Sequence, residues 1–183
     1  MTIYQCILTV CLFLFNCLFV SPVIQADTVV ADKKIDVINI EITTHLGNQQ
    51  TFVEGDDLSF LFNLDRDAYL LAIYQDAEGN LIQLLPNRES SSLPQKAGMF
   101  IPLPKQNAKF RFKIQAPFGK EELWIFASDQ LPPELPGDNL SNGLKVLSED
   151  INSVRIKLRE RHQTAYGDAR LTIHTSTREK INQ

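Results

Sequence analysis

All three cysteines of the chain, Cys6, Cys11 and Cys17, lie in an uncharged apolar stretch at its start, and none follows. Whatever folds beyond residue 17 has neither disulfide nor thiolate metal site to hold it. Its stability must come from apolar burial. The same placement excludes cysteine nucleophiles and disulfide exchange from the folded part.

The first 26 residues contain no Lys, Arg, Asp or Glu, and the run Ile7 to Val20 is interrupted only by Thr9, Asn16 and Cys. Such a run is close to the roughly 20 residues that span a bilayer, so a retained anchor competes with a removable secretory signal. Ser21 and Pro22 break the run, and Ile24-Gln25-Ala26 sets a small residue before polar Asp27. Residues 1–26 therefore read as a signal peptide cut after Ala26, and residues 27–183 as a single exported domain. Lipidation is not expected, because Asn16 precedes Cys17 and Val10 precedes Cys11 where a small residue is needed. The net charge of −4 falls wholly on residues 27–183 and gives no pull toward nucleic acid or anionic membrane.

From residue 38 to about residue 128 the apolar period is two. Ile38, Ile40 and Ile42 alternate with Asn39, Glu41 and Thr43, and Leu58, Phe60, Phe62 and Leu64 form a second alternating set. Leu46-Gly47-Asn48 reads as the turn between them. Ala68–Tyr74 and Leu81–Leu85 are apolar on both faces except at Gln83, as in strands covered on both sides. Asp76-Ala77-Glu78-Gly79-Asn80 joins them as a hairpin loop. Lys109, Arg111 and Lys113 alternate with Phe110, Phe112 and Ile114, which predicts a strand with a basic solvated face. After the turn Pro117-Phe118-Gly119, Leu123–Ala127 predicts another, with Trp124 on one face and Leu123 and Ile125 on the other. Evenly spaced short strands of this kind predict a mostly β fold, an immunoglobulin-like β-sandwich.

The period then changes. Leu144, Leu147, Ile151, Val154 and Leu158 fall at helical spacing, with Ser148 as candidate N-cap, Glu149 and Asp150 in the first turn and Arg159, Arg161 and His162 in the last. Tyr166-Gly167 reads as the stop. Leu171, Ile173 and Thr175 then mark a final strand, so a C-terminal helix and strand occupy about residues 144–176. The helix is expected to cross the sandwich or close one end. Two polar stretches, Pro86–Gly98 and Leu131–Gly143, read as exposed loops of the kind that carry binding residues on a rigid scaffold.

Asp67-Ala68-Tyr69-Leu70-Leu71, Tyr74-Gln75-Asp76 with Gly79, Leu84-Leu85-Pro86-Asn87, Ala116-Pro117-Phe118-Gly119 and Glu122-Leu123-Trp124-Ile125-Phe126-Ala127-Ser128 follow one another in an order that resembles the bacterial family catalogued as domain of unknown function 4384. The resemblance covers about residues 52–128 and leaves the helix and last strand outside. It implies a small β-rich module that in many proteins is appended to kinases, peptidase-like domains or envelope lipoproteins, hence an accessory or recognition role. It lends no catalytic residues.

Candidate sites weigh toward structure. His45, His162 and His174 fall in three different predicted elements without a metal-ligand partner at the right spacing. Asp65, Asp67, Asp76 and Glu78 flank the central hairpin, where carboxylates suit calcium or acid–base chemistry but more often close turns. Ser90-Ser91-Ser92 lacks the sharp strand-to-helix turn of a serine nucleophile. Pro86-Asn87 ends a strand and caps a turn. Tyr69, Tyr74 and Trp124 would suit a sugar-stacking face, yet their alternation fits core packing. No catalytic, cofactor-binding or metal residue is assigned, and no cofactor. The chain reads as an exported, non-enzymatic protein-recognition or envelope-assembly module, periplasmic or extracellular, with another envelope protein as partner and no stable membrane insertion once the signal is removed. The alternative is a glycan- or peptidoglycan-binding module. Sheet edges and the two loops are the expected docking surfaces.

Overall fold

A computed structural model describes residues 35–88, 90, 93–108, 110–161 and 164–181. The signal-peptide reading of residues 1–26 lies outside them, as do His162, Lys109, Ser91 and Ser92.

The strands are β1 (Asp36–Val37), β2 (Ile40–Thr44), β3 (Thr51–Val53), β4 (Asp57–Leu58), β5 (Phe60–Leu64), β6 (Tyr69–Gln75), β7 (Leu81–Leu85), β8 (Ile101–Leu103), β9 (Phe112–Lys113), β10 (Lys120–Ser128), β11 (Gly137–Asn139), β12 (Lys145–Leu147) and β13 (Ala165–Ser176). Among the described residues one α-helix, α1 (Ile151–Arg159), precedes β13, and a 3₁₀ turn (Arg178–Ile181) follows it. An eight-stranded sheet runs in the order β1-β13-β10-β6-β7-β12-β11, with β3 also paired to β13. A three-stranded sheet, β2-β5-β8, and the small pair β4-β9 hold the other described strands. The fold is mostly β, as the period-two pattern predicts.

Alternation decides which sheet face each residue covers. Phe60, Phe62 and Leu64 of β5 and Leu103 of β8 pack against Leu70 and Ala72 of β6, Leu123, Ile125 and Ala127 of β10, and Leu171 and Ile173 of β13. The two sheets thus sandwich one apolar core. Phe60 is 0 % exposed, and full burial of such a ring stabilises by roughly 1.5–3 kcal/mol. The odd residues of β6, Leu71 and Ile73, and the even residues of β10, Trp124 and Phe126, point to the opposite face. There they meet Leu81, Leu135 and Leu147, together with Val154 and Leu158 of α1.

Strands β6 and β10 read as apolar on both faces because each lies inside the sheet with a layer on either side. The β6–β7 hairpin forms as predicted. Asp76 closes it, its carboxylate accepting from the Glu78 and Asn80 backbone N–H groups, and Gly79 supplies φ +92°.

Several boundaries differ from the sequence expectation. The helix begins at Ile151, not at Leu144; Leu144 is buried in the sandwich core, and Leu147 belongs to β12. Its N-cap is Asp150, not Ser148: the Asp150 side chain accepts from Asn152 N and Ser153 N, while Ser148, just after β12, donates its N–H to Pro136 O and lies too early to cap a helix that starts at Ile151. Tyr166-Gly167 does not stop the helix but lies in β13. Gly167 is needed because a Cβ there would sit 2.0 Å from the Ile38 carbonyl oxygen, where the chain leaves β1 for the smaller sheet. The basic alternation around residue 111 yields only the two-residue β9, although Arg111 and Lys113 are exposed and Ile114 is buried. Residues 131–143 are not simply an exposed loop, since Leu135 is buried and β11 pairs with β12.

Candidate functional site

The irregular segments converge at one end of the sandwich. Arg88 N donates to Gly143 O, tying the stretch after β7 to the stretch before β12. A shallow depression is lined by Tyr69, Pro86, Leu93, Lys105 and Pro132, drawn from β6 and three separate connections. Beside it lies a cavity of about 240 Å3 walled by Leu85, Leu103 and Phe110, with Asn87, Ser90, Lys105, Asn107 and Ala108. A further opening of about 380 Å3 shares Lys105, Ala108 and Phe110 and is otherwise lined by His45, Asp57, Arg111 and neighbours.

Pro86 and Asn87 frame this end. Buried Gln83 donates through Nε2 to Pro86 O at 2.6 Å. Asn87 donates from Nδ2 to Leu84 O at 2.8 Å, its Oδ1 accepts from Ser90 N, and its own N–H donates to Ser90 Oγ. The turn-capping role expected for Asn87 is therefore realised, and it rigidifies one wall of the cavity. The opposite wall is the turn closed by Ala108 N donating to Lys105 O.

The expected edge-strand surfaces differ between the two sheets. His45 N donates to Ser59 O and Asp65 N to Asn39 O, so the odd residues of β5 bond toward β2 and its even residues bond toward β8. Phe62–Ile101 and Phe60–Leu103 are then the bonded pairs, and Phe100, Pro102 and Pro104 turn to the free edge. Proline carries no N–H, so two of these three positions offer a carbonyl alone. At β11 the register turns Gly137 and Asn139 outward instead, both exposed and each with N–H and C=O. The β8 edge thus lacks two of the donors a docking strand would use, whereas the β11 edge keeps its own.

The carboxylates singled out in the sequence do not converge. Asp65 and Asp67 precede β6, whereas Asp76 and Glu78 follow it, separated by seven strand residues, about 23 Å. Asp65 accepts from Asn39 N and Nδ2. The Lys96 ammonium, 2.5 Å away, and the Ala97 N–H hold the Asp67 carboxyl below the usual carboxylate range. His45 sits in the turn after β2, where its ring meets Ser59 O and Ser59 N, and His174 is exposed on β13. Among the described residues no group of three His, Cys, Asp or Glu could hold a metal, and no helix is long and apolar enough to cross a membrane.

Nor do the three aromatics share a face. Tyr74 packs on the sandwich side, stacked on Phe112 at 5.8 Å, while Trp124 lies on the helix side and is 7 % exposed. The guanidiniums of Arg155 and Arg170 both lie 5.3 Å from the Trp124 ring centroid. Both guanidiniums are thus within cation–π range of the Trp124 ring. Arg155 is itself paired with Asp168 and Arg170 with Glu122. Nearby Tyr166 has its phenol pushed up to about 12 by burial and, next, by Asp168.

Sequence reading missed Lys105, Asn107 and Phe110 as neighbours of Asn87. The available signal was Ile101-Pro102-Leu103-Pro104-Lys105, in which prolines two apart mark one edge of a short strand. It also missed Glu121, which is 3 % exposed inside the sandwich with Thr175 Oγ1 donating to it at 2.7 Å. Burial raises the Glu121 carboxyl above its ordinary value against the lowering effect of that hydrogen bond.

No curated protein and no solved structure matches the chain. Residues 51–130, from β3 to just past β10, match the model of the family described as Domain of unknown function (DUF4384).

Proposed function

We propose that this protein is an exported, non-enzymatic recognition module built on an immunoglobulin-like sandwich, docking another envelope protein through the loop-bearing end of the domain. The observation that carries this reading is the gathering of three irregular connections around Asn87, Lys105 and Pro132, held by the Arg88–Gly143 hydrogen bond. Clustered loops on a rigid sandwich are a recurrent way to present a binding surface. The immunoglobulin-like assignment draws support from chain order. β5 and β8 alternate with the β6–β7 hairpin and β10 between the sheets, and the opening strand β1 pairs parallel with the closing strand β13. The non-enzymatic assignment draws support from the structural occupations of these acids: Asp76 closes the β6–β7 turn, Asp65 accepts from distant Asn39, and Asp67 from distant Ala97.

In-cell crosslinking in the native envelope, followed by mass spectrometry of the mature N-terminus and the attached chains, tests the reading. An N-terminus at Asp27 with one reproducible envelope partner is the expected result. An intact Met1 terminus, or a chain crosslinked to nothing, overturns it.

A further inference from the structure

The cavity between β7 and β8 combines an apolar floor, an amide and hydroxyl rim, and one charge. Leu85, Leu103 and Phe110 supply the floor; Asn87, Ser90 and Asn107 supply the rim; among the described residues Lys105 is the one charged residue lining it. Among the described residues no acid pairs with Lys105, although its neighbours in sequence and space are fixed by the turn to Ala108 and by the Asn87–Ser90 bonds. An exposed ammonium at the mouth of an apolar hole asks for a ligand that brings an anion and an apolar group together.

We propose that this cavity takes the C-terminal residue of a partner polypeptide, its apolar side chain inserted between Leu85, Leu103 and Phe110 and its terminal carboxylate on Lys105. The proposal rests on the recognition reading above and names the chemistry of the partner at that site. Size favours a single side chain, because about 240 Å3 is below the span of a drug-sized pocket. The β8 edge favours end-on entry over strand addition. Pro102 and Pro104 deny a docking strand two of the donors it would need along this edge. A saccharide fits less well, since Phe110, the one ring in the wall among the described residues, already packs edge-on against Phe112 at 5.4 Å.

Two acetylated hexapeptides ending in leucine, one with a free carboxylate and one amidated, are titrated into the ¹⁵N-labelled full chain. The acid is expected to bind saturably, with the largest shifts at Leu85, Asn87, Ser90, Leu103, Lys105 and Phe110. The amide, and the acid against Lys105→Gln, are expected to bind about tenfold more weakly, and Lys105→Arg to restore binding. Lys113→Gln, which removes an exposed cation of β9, should leave it unchanged. Equal binding of acid and amide, indifference to Lys105→Gln, or no binding of acids ending in leucine, phenylalanine or valine overturns the proposal. Envelope crosslinking of Lys105→Gln separates the two readings: an undiminished partner yield leaves the recognition module standing and removes the C-terminal pocket.

Discussion

One face of the eight-stranded sheet meets strands, and the other meets a nine-residue helix and irregular chain. On the strand side the core is continuous, from Phe52 at one end through Phe60, Phe62, Leu123 and Ile125 to Ala165, all buried. On the helix side the core is smaller, and α1 contributes only Val154 and Leu158 as fully buried residues. Its rim is polar: Arg155 and Arg170 lie over Trp124, Lys157 bonds Glu149, and Arg161 donates to Leu131 O. The strand side is held by area removed from water. The helix side depends on a few apolar contacts together with charge pairs and cation–π contacts that are each worth about 1 kcal/mol or less where exposed.

Truncating each face tests that contrast most directly. Phe60→Ala is expected to cost about 3–5 kcal/mol in chemical denaturation, because its cavity opens between two strand layers that cannot collapse. Leu158→Ala should cost nearer about 2 kcal/mol, since α1 can settle toward the sheet. Trp124, the only tryptophan, reports the helix side. Its emission should change in Leu158→Ala without global unfolding and should stay native in folded Phe60→Ala. Equal losses from the two variants would break the comparison.

The next effect concerns the line where the chain passes between sheets. Gly167→Ala puts a methyl 2.0 Å from Ile38 O, a backbone atom fixed by the Ile38 N–H bond to Tyr166 O. The expected cost is about 1–3 kcal/mol, with hydrogen exchange accelerated in β1 and β2 before β10. Uniform acceleration would mean that β1 is not separable from the sandwich.

The smallest effect is a pH dependence inside the strand side. Burial raises the Glu121 carboxyl, so folding favours its protonated form. That contribution is fully present below the ordinary carboxylate range and is lost as pH rises through the raised native value. Glu121→Gln keeps the Thr175 hydrogen-bond acceptor without the charge. It should leave stability unchanged at about pH 3 and raise it at about pH 8. A variant less stable at the higher pH would show that the ionised carboxylate is stabilising.

The strand side was legible because its signal is local. Phe60, Phe62 and Leu64 alternate whatever they pair with, and the acidic glycine loop at residues 76–80 closes on itself. The family match over residues 51–130 likewise follows the segment expected at 52–128. The helix side was less legible because Leu144 and Leu147 happen to keep helical spacing with Ile151 while belonging to the sandwich core and to β12. Asp150 and Ser148 are both acceptable caps in isolation. The candidate pocket is half visible in sequence: Asn87 reads as a turn cap, but Lys105 lies 18 residues later and meets it only because β7 and β8 belong to different sheets that face each other.

Sequence by itself determined the β class, the central hairpin, the faces of β5, β6 and β10, and the absence of thiol chemistry beyond residue 17. Each follows from the two-residue period of a strand, the backbone freedom of glycine, or residue identity, and none needs a distant partner. Tertiary structure decided the sheet order, the place of Gly167, the burial of Glu121, the arginines over Trp124 and the union of Asn87 with Lys105. Each of these sets the distance between residues far apart in the chain, and no local periodicity encodes such a distance.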